Sequence, residues 1–414
     1  MEIKRDFYLN KLIQHKKNGM VKIITGVRRC GKSYLLSKLF KEHLLSCGVA
    51  EDHIVFLALD DYGNKKLQNP DELYAYVKGR VADSNDYYIL LDEIQLVDDF
   101  ESVINGFMHI ANADIYITGS NSKFLSSDII TEFRGRGDEI RVYPLNFSEF
   151  YSVYGGEFDK AWTMYCNYGG MPLCLSMETP EDKAKYLTSL FDTTYLADII
   201  NRHNLRGNAE IGELTDVLAS GIGSLTNPLK LSKTFGSVKN VKLSANTVSA
   251  YIEYLQDAFL IEKAIKYDIK GKKYINTPAK YYFVDMGLRN ARLAFRQQEY
   301  THIMENVIYN ELRSRGYSVD VGVVGKDGTE NPVKKLEVDF VVNLGSRRYY
   351  IQSAYNIPDR EKLEQEQASL LAINDAFRKI IIVNQPILTG YNEEGILIVA
   401  LRDFLMSPET SINF

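Results

Sequence analysis

The chain has 414 residues, of which 45% are hydrophobic, and a formal net charge of −5 at neutral pH. This length predicts about two or three domains with substantial cores, and the acidic balance argues against a protein that coats nucleic acid with its whole surface. The sequence has no apolar run long enough to cross a membrane and no hydrophobic segment of a signal peptide at its start. Four cysteines lack the spacing of a metal site or disulfide framework, so we expect a cytoplasmic protein without membrane contact: Cys30, Cys47, Cys166 and Cys174.

A short helix is predicted over 5–15, and a complete phosphate-binding motif, G-x-x-x-x-G-K-[ST], follows at 26–33 as GVRRCGKS. An apolar run at 21–25 precedes the motif and a helical pattern at 33–40 follows it, which is the strand–loop–helix context that the motif requires. Such a loop turns its backbone N–H groups toward phosphate oxygens at the positive end of the helix. We expect Lys32 to reach the β- and γ-phosphates and the Ser33 hydroxyl to ligate Mg²⁺. The predicted nucleotide contacts are Gly26, Arg28, Arg29, Cys30, Gly31, Lys32, Ser33 and Tyr34.

A second strand, at 87–91, is apolar throughout and ends in Asp92 and Glu93, which is typical of a Walker B element. A strand that is apolar on both faces indicates the buried centre of a parallel sheet. We expect Asp92 to hold Mg²⁺, directly or through water, and Glu93 to polarise the attacking water as a general base. The alternative, a solvated pair of acids at a strand end, is less favoured beside a complete phosphate-binding motif.

A third strand, at 114–118, is followed by Ser120 and Asn121, and either residue suits the sensor position that touches the γ-phosphate or the water. Sequence does not choose between them. Farther on, Arg134 and Arg136 lie on a glycine-rich connection before a strand at 139–142. Either arginine is a candidate arginine finger, acting in cis or on a neighbouring subunit, and either suits an ordinary surface charge equally well. Two residues of the phosphate loop, Arg28 and Arg29, are rival phosphate-facing candidates.

Several segments together resemble a large prokaryotic family of AAA-type ATPases whose C-terminal half is a domain of unknown function with a nuclease-like end. The resemblance covers nearly the whole chain and implies an α/β fold of the ASCE P-loop type. In that fold an extra strand separates the phosphate-loop strand from the Walker B strand. It implies ATP and Mg²⁺ as ligands and no particular substrate. The matching segments are GVRRCGKS, YYILLDEIQ, ITGSNSKFLSSDI with FRGR after it, YGGMP, and LFDTTYLADII.

The motifs and the resemblance predict four regions: an AAA-type ATPase domain at 1–148, a helical linker or lid at 149–204, a winged-helix-like domain at 205–295, and a nuclease-like α/β domain at 296–414. Within the linker, Phe191, Tyr195 and Ile199 share one helical face with Ile200. The segment YGGMP at 168–172 interrupts the helical pattern and predicts a turn. A hinge that transmits the nucleotide state is the alternative for this segment.

The winged-helix prediction depends on three helices, at 214–220, 228–235 and 243–255, followed by strands at 260–267 and 281–285. Between residues 226 and 282 there are ten lysines against four acids. Three of these lysines, Lys270, Lys272 and Lys273, lie between the two strands. This local excess favours contact with the phosphate backbone of DNA or RNA. The third helix has no Arg or Lys from 244 to 255, which instead favours a protein-docking or lid module.

The last region resembles the PD-(D/E)XK nuclease core, with Glu305 on a helix at 302–312, Asp339 on a strand at 335–342, and Gln352 on a strand at 348–353. Ala354 occupies the position of the lysine that the resembling nucleases use in catalysis, and Lys335 is the nearest lysine on the preceding strand. We therefore expect no cleavage of DNA or RNA and regard the acids as the remnant of a site. The remaining predicted elements are a strand at 317–324, a helix at 360–377, and strands at 379–383 and 395–399.

Three functions compete on this sequence. The first is an ATP-driven switch or motor that acts on nucleic acid, which the lysine excess favours. The second is an ATP-dependent switch that organises protein partners in signalling or defence, which the uncharged third helix favours. The third is an ATP-gated nuclease, which Ala354 argues against. An arginine finger in trans would require a homo-oligomer.

Overall fold

The apolar runs of the first third of the chain form a five-stranded, all-parallel sheet in a computed structural model. The structure describes residues 2–119, 133, 135–205, 208–238, 243–325 and 335–407. It divides into two compact units, an N-terminal unit (Met1–Pro144 with Asp257–Phe259) and a C-terminal unit (Leu145–Gln256 with Leu260–Phe414). Among the described residues, no helix combines the length and the apolar character that crossing a membrane requires.

The sheet of the N-terminal unit has the strand order β2-β3-β4-β1-β5. Its strands are β1 (Val21–Thr25), β2 (Ile54–Ala58), β3 (Tyr87–Asp92), β4 (Ala113–Thr118) and β5 (Gly137–Arg141). Every residue of β1 and β3 is buried, as expected for strands covered on both faces. The strand β4 lies between β1 and β3, so the order that the family resemblance implied is confirmed.

Helices cover this sheet, and apolar side chains from the strands and from two of the helices form one core cluster. The helix predicted over 5–15 is present as α1. The helix after the phosphate loop continues through a π-helical segment, Leu35–Phe40. The helices of the unit are α1 (Asp6–Gln14), α2 (Lys32–Tyr34), α3 (Lys41–Ser46), α4 (Pro70–Arg80) and α5 (Phe100–Phe107), with 3₁₀ segments at Glu51–His53, Tyr62–Gln68 and Ile94–Leu96.

The C-terminal unit begins with helices and continues into a mixed sheet. Its helices are α6 (Phe147–Tyr154), α7 (Phe158–Tyr168), α8 (Pro180–Ser189), α9 (Ala197–His203), α10 (Asn208–Ser220), α11 (Pro228–Val238), α12 (Ala245–Asp257), α13 (Met286–Arg292), α14 (Tyr300–Ser314), α15 (Arg360–Leu371) and α16 (Leu401–Met406). A π-helical segment, Leu190–Leu196, and a 3₁₀ segment, Pro172–Ser176, complete the helical part. Of the four residues predicted to share a helical face, Phe191, Tyr195 and Ile199 are buried and Ile200 is half-buried.

Eight strands form the second sheet, in the order β12-β13-β11-β10-β9-β8-β6-β7. They are β6 (Ile261–Asp268), β7 (Lys273–Phe283), β8 (Ser318–Gly325), β9 (Lys335–Leu344), β10 (Arg347–Ala354), β11 (Arg378–Val383), β12 (Gly390–Tyr391) and β13 (Leu397–Ala400). The strand β6 pairs with β8 in parallel, so the hairpin of the predicted winged helix and the strands of the predicted nuclease-like domain share one sheet.

Two predicted elements have different bounds in the structure. The second hairpin strand begins at Lys273 rather than at 281, because cross-strand pairing continues to Asp268↔Lys273 at the hairpin tip. The helix predicted over 360–377 ends at Leu371. There Asp375 accepts hydrogen bonds from the Phe377 N–H (3.1 Å) and the Tyr350 hydroxyl (2.6 Å), so the chain turns instead of continuing as a helix.

The predicted turn in the segment YGGMP is present, and one buried carboxylate holds it. The Asp285 carboxylate accepts hydrogen bonds from the N–H groups of Gly170 (2.6 Å) and Leu288 (2.9 Å). The bond from Leu288 caps α13, and the bond from Gly170 holds the turn against that helix. Burial raises the pKa of Asp285 to about 6, while these backbone donors act in the opposite direction. Gly169 has a φ of +69°, and a Cβ there would lie 2.2 Å from an Asp285 oxygen. The glycines are therefore needed for contact between the turn and α13.

We predict that Gly170→Ala destabilises the C-terminal unit, because the new Cβ would lie 2.1 Å from the backbone oxygen of Leu145. The expected loss of unfolding free energy is at least about 1–3 kcal/mol. The only tryptophan of the chain, Trp162, is buried in α7, so its fluorescence in a urea titration reports on this unit. The matched control is Gly236→Ala, since a Cβ at that helical position meets no atom within 4 Å. Equal unfolding midpoints for the two variants would contradict the steric argument.

Candidate nucleotide-binding site

The candidate site lies where β1, β3 and β4 end at the same edge of the parallel sheet. The strands pair with Ile24 beside Thr118 and with Leu91 beside Ile117. Asp92, the next residue of β3, therefore lies beside Thr118, and the phosphate loop begins immediately after β1. This register brings together residues that are far apart in the sequence.

The phosphate loop has the tight backbone that its glycines permit. Gly26 and Gly31 have positive φ angles of 138° and 106°. A Cβ at Gly26 would lie 2.1 Å from the backbone oxygen of Val142, so the loop approaches the end of β5 too closely for any side chain at that position. Cys30 is fully buried, and its sulfur lies 3.5 Å from the same Val142 oxygen. The cysteine therefore packs the loop against the sheet.

The cationic and polar side chains of the loop lie in two different environments. The Lys32 side chain is buried, and its Nζ donates hydrogen bonds to the backbone oxygens of Gly26 (2.9 Å) and Val27 (3.1 Å). Arg28 and Arg29 are exposed, and Arg29 has a positive φ of 64°. Ser33 is exposed at the start of α2. Tyr34 is half-buried, with the Lys38 Nζ 5.8 Å from the centre of its ring. Of the charged side chains, Lys32 is the one held inside the loop.

The two residues predicted to bind a metal ion meet in the structure. The Thr118 hydroxyl donates a hydrogen bond to the Asp92 carboxylate, which is only 4% exposed, and the Ser33 hydroxyl lies close enough to lower the pKa of the same carboxylate. Burial raises the pKa of Asp92 above its ordinary value, and the two hydroxyls act in the opposite direction. A buried carboxylate beside a hydroxyl at the end of a phosphate loop is a donor set that suits Mg²⁺.

Glu93 follows Asp92 in a left-handed backbone conformation, with a φ of 54°. Its N–H donates to the Thr118 oxygen (3.0 Å), so a single hydroxyl contacts both acidic residues. The Glu93 carboxylate is half-buried and accepts a hydrogen bond from the Gln95 amide. Because φ is positive at Glu93, the chain turns sharply here, and the two carboxylates have different surroundings.

Two residues that sequence reasoning missed support this site. The sequence pattern predicts Thr118 only as the last residue of an ordinary strand. Arg5 is 3% exposed, and its guanidinium donates to the backbone oxygens of Cys30 (3.1 Å) and Tyr143 (2.7 Å). It thereby ties the start of α1 to the phosphate loop. Neither contact has a local sequence signal, because both join residues that come together only in the folded chain.

The predicted arginine fingers and sensor residues are mostly beyond the described residues. Ser120, Asn121 and Arg134 all lie outside them. Arg136 is exposed and precedes β5, and its backbone oxygen accepts a hydrogen bond from Val21, the first residue of β1. The phosphate loop follows the other end of β1, on the order of 13 Å away. This position does not favour action of Arg136 on its own phosphate loop.

The acids of the predicted nuclease-like remnant lie in the C-terminal unit. Glu305 on α14 and Asp339 on β9 both lie near the ammonium of Lys280 on β7. Gln352 lies beside them, 3.4 Å from the Asp339 N–H, and Ala354 is buried in an apolar core cluster. Lys335, the lysine that sequence indicated as nearest, is exposed. The lysine at this cluster is therefore Lys280. It lies on β7, a different strand from the one that carries Lys335, and it contacts Glu305 of α14.

The residues of the N-terminal site fit a nucleotide with Mg²⁺. The cradle at Gly26 excludes any side chain, the Lys32 ammonium lies against the loop, and the Ser33 hydroxyl lies close enough to Asp92 to lower the pKa of its carboxylate. These are the groups that hold phosphates and the metal ion in P-loop proteins.

Comparison with protein families places known domains along the chain. An AAA domain family matches residues 18–151, and a domain of unknown function (DUF8612) matches residues 159–299. An uncharacterized protein of Haemophilus influenzae is 34% identical over 98% of this chain and 98% of its own length. An uncharacterized protein of Methanocaldococcus jannaschii is 30% identical over 97% of this chain and 88% of its own. Both relatives match both units of the chain.

Among solved structures, the Aeropyrum pernix ORC1 protein in complex with DNA aligns with 70% of this chain and 92% of its own, at 11% identity and a TM-score of 0.33. AMPPCP-bound DnaA from Aquifex aeolicus aligns with 60% of this chain and 85% of its own, at 13% identity and a TM-score of 0.30. Both alignments cover more of the solved structure than of this chain.

Proposed function

The chain belongs to one family with the Haemophilus influenzae and Methanocaldococcus jannaschii proteins, and we propose that its AAA domain binds ATP and hydrolyses it with Mg²⁺. The proposal depends most on one observation: the buried Asp92 carboxylate accepts a hydrogen bond from Thr118, and the Ser33 hydroxyl of the phosphate loop lies close enough to lower its pKa. Two residues predicted from separate motifs to act on one metal ion are thus neighbours. A chance glycine-rich turn gives no reason for this arrangement.

Each residue of the site has a distinct part in the proposed reaction. Ser33 and Asp92 would hold Mg²⁺, which when bound neutralises the charge that develops on the phosphate oxygens. Lys32 places a second positive charge inside the loop. The Glu93 carboxylate accepts the proton of the attacking water, and Thr118 fixes the backbone from which Glu93 extends.

We predict that Lys32→Ala abolishes nucleotide binding or turnover, whereas Glu93→Gln retains binding and loses turnover. The glutamine keeps the shape of the side chain but removes the proton acceptor, so kcat is expected to fall about 10²–10⁴-fold. Binding of a fluorescent ATP analogue and release of phosphate measure the two effects separately.

The matched control for the second variant is Glu72→Gln, which makes the same change at an exposed position of α4. It should behave as the parent protein does. Hydrolysis at the parental rate by Glu93→Gln would contradict the assignment of the general base.

The position of Arg136 suits an arginine finger only if copies of the chain assemble. Because Arg136 lies at the opposite end of β1 from its own phosphate loop, we propose that it acts as an arginine finger on the nucleotide of a neighbouring copy. Turnover per chain should then rise with protein concentration as copies assemble. A constant rate across the assembly transition would contradict the proposal.

A second proposal concerns the tip of the β6–β7 hairpin, where Lys270, Lys272 and Lys273 are all exposed. We propose that these lysines contact the phosphate backbone of DNA or RNA, so that ATP turnover acts as a switch or motor on nucleic acid. The lysine excess of this region is smaller at the surface than in the sequence, because Lys280 is only 2% exposed and paired with carboxylates.

We predict weak binding that is insensitive to base sequence and falls steeply with salt, since three phosphate contacts give a slope of log K on log[salt] of about −3. Reversing the charge of Lys270, Lys272 and Lys273 together to Glu should abolish it in fluorescence anisotropy with single-stranded DNA, duplex DNA and RNA. The matched control reverses three exposed charges on helices of the same unit, Lys160, Lys185 and Arg360. Equal loss in both triple variants would contradict the hairpin tip as the specific contact. No binding by the parent protein would favour a switch that organises protein partners.

A further inference from the structure

Lys280 lies inside a cluster of acids that the proposed ATPase does not use. It is 2% exposed, and its Nζ is 2.8 Å from a Glu305 oxygen and 2.7 Å from a Glu337 oxygen. A third carboxylate, Asp339, lies 3.8 Å away. Glu305 extends from α14, and the other two acids extend from β9, so one ammonium joins three elements of the C-terminal unit.

The acids of this cluster have further hydrogen-bond donors from the protein. The Tyr282 hydroxyl donates to the same Glu305 oxygen that contacts Lys280, at 2.7 Å. The Ser353 N–H donates to the second oxygen of Asp339, at 2.8 Å. Glu305 and Asp339 are 7% and 9% exposed. An additional cation would therefore have to displace contacts that are already made and shielded from water.

The electrostatics of the cluster favour a charged lysine. Burial disfavours the ammonium, but the three carboxylates outweigh it and raise the pKa of Lys280. Burial likewise disfavours the Glu305 carboxylate, but the Lys280 charge outweighs it and lowers the pKa of Glu305. Burial raises the pKa of Asp339, and the charge of Glu305 acts in the same direction. One positive charge therefore offsets part of the negative charge that the three carboxylates bring to the cluster.

Glu305 and Asp339 are the residues that match the metal-holding acids of the resembling nucleases, yet within the described ranges no three His, Cys, Asp or Glu side chains are arranged to hold a metal ion. We propose that the Lys280 ammonium takes the place of a divalent cation in this cluster, and that removing the ammonium lets the three carboxylates move together and bind a divalent cation. Carboxylate oxygens from three positions are the ligands that Mg²⁺ and Mn²⁺ prefer, and a buried positive charge among them opposes metal binding directly. The lysine thus maintains the fold of the region without a metal ion.

The test is Mn²⁺ binding to the full chain. Binding is measured as the decrease in the electron paramagnetic resonance signal of free Mn²⁺. All proteins include Asp92→Asn, so that the N-terminal site does not contribute. The parent should bind no Mn²⁺ that depends on Asp339. Lys280→Ala should bind one equivalent at least tenfold more tightly than the parent does, and Lys280→Ala with Asp339→Asn should lose this binding. Mn²⁺ should also raise the urea midpoint of Lys280→Ala, read from Trp162 in the same unit, and leave that of the parent unchanged.

Two results would overturn the proposal. One is Mn²⁺ binding by the parent that Asp339→Asn removes, since the ammonium would then not exclude a metal ion. The other is a folded Lys280→Ala protein that binds no additional Mn²⁺. If Lys280→Ala does not fold, refolding in the presence of Mn²⁺ supports the proposal when it restores the Trp162 transition. If refolding also fails, Mn²⁺ binding is compared between the parent and the Asp339→Asn variant. Equal binding by these two proteins supports the proposal, and weaker binding by Asp339→Asn overturns it.

Discussion

The hydroxyl of Thr118 joins the sheet of the N-terminal unit to both acids of the candidate site. It donates to the Asp92 carboxylate and accepts from the Glu93 N–H, and it can do so only because β4 lies between β1 and β3. The same register places the phosphate loop at the edge of the sheet where these acids lie, and the Ser33 hydroxyl lowers the pKa of Asp92. The order of three parallel strands thus decides whether one metal ion can contact both motifs.

The charge of buried carboxylates is compensated differently in the two units. Around Asp92 the neighbouring groups are the Thr118 and Ser33 hydroxyls and two further acids, Glu93 and Asp60, so the negative charge is left for a cation from solution. Around Glu305 and Asp339 the protein supplies its own cation, Lys280, whose side chain is buried. A buried carboxylate requires compensation in both cases, because an uncompensated charge is strongly unfavourable in the protein interior. The first arrangement suits a site that binds and releases ligands, and the second suits a permanent part of the fold.

Local motifs were predictable from the sequence, whereas the contacts that complete each site were not. The phosphate loop and the Asp92–Glu93 pair follow from residue spacing and strand pattern, and the position of β4 followed from the family resemblance. Arg5 and Thr118 have no local signal, since a buried arginine and a strand threonine acquire their partners only through folding. Lys280 is the clearest case: the sequence places it within the lysine excess at 226–282 and indicates Lys335 as the lysine nearest the acid cluster. Strand β7 extends farther toward the hairpin tip than its sequence indicates, and its pairing in the shared sheet directs Lys280 to the acids.

The most direct measurement of the central claim is the Mg²⁺ dependence of ATP turnover in Thr118→Val and Thr118→Ser. Valine has nearly the shape of threonine, but it removes the donor to Asp92 and the acceptor for the Glu93 N–H, while serine keeps both. We expect Thr118→Val to need at least about tenfold more Mg²⁺ for half-maximal turnover, equivalent to ~1.4 kcal/mol, and to have a lower kcat. Thr118→Ser should stay close to the parent. Parental Mg²⁺ dependence and kcat in Thr118→Val would show that this hydroxyl does not organise the site.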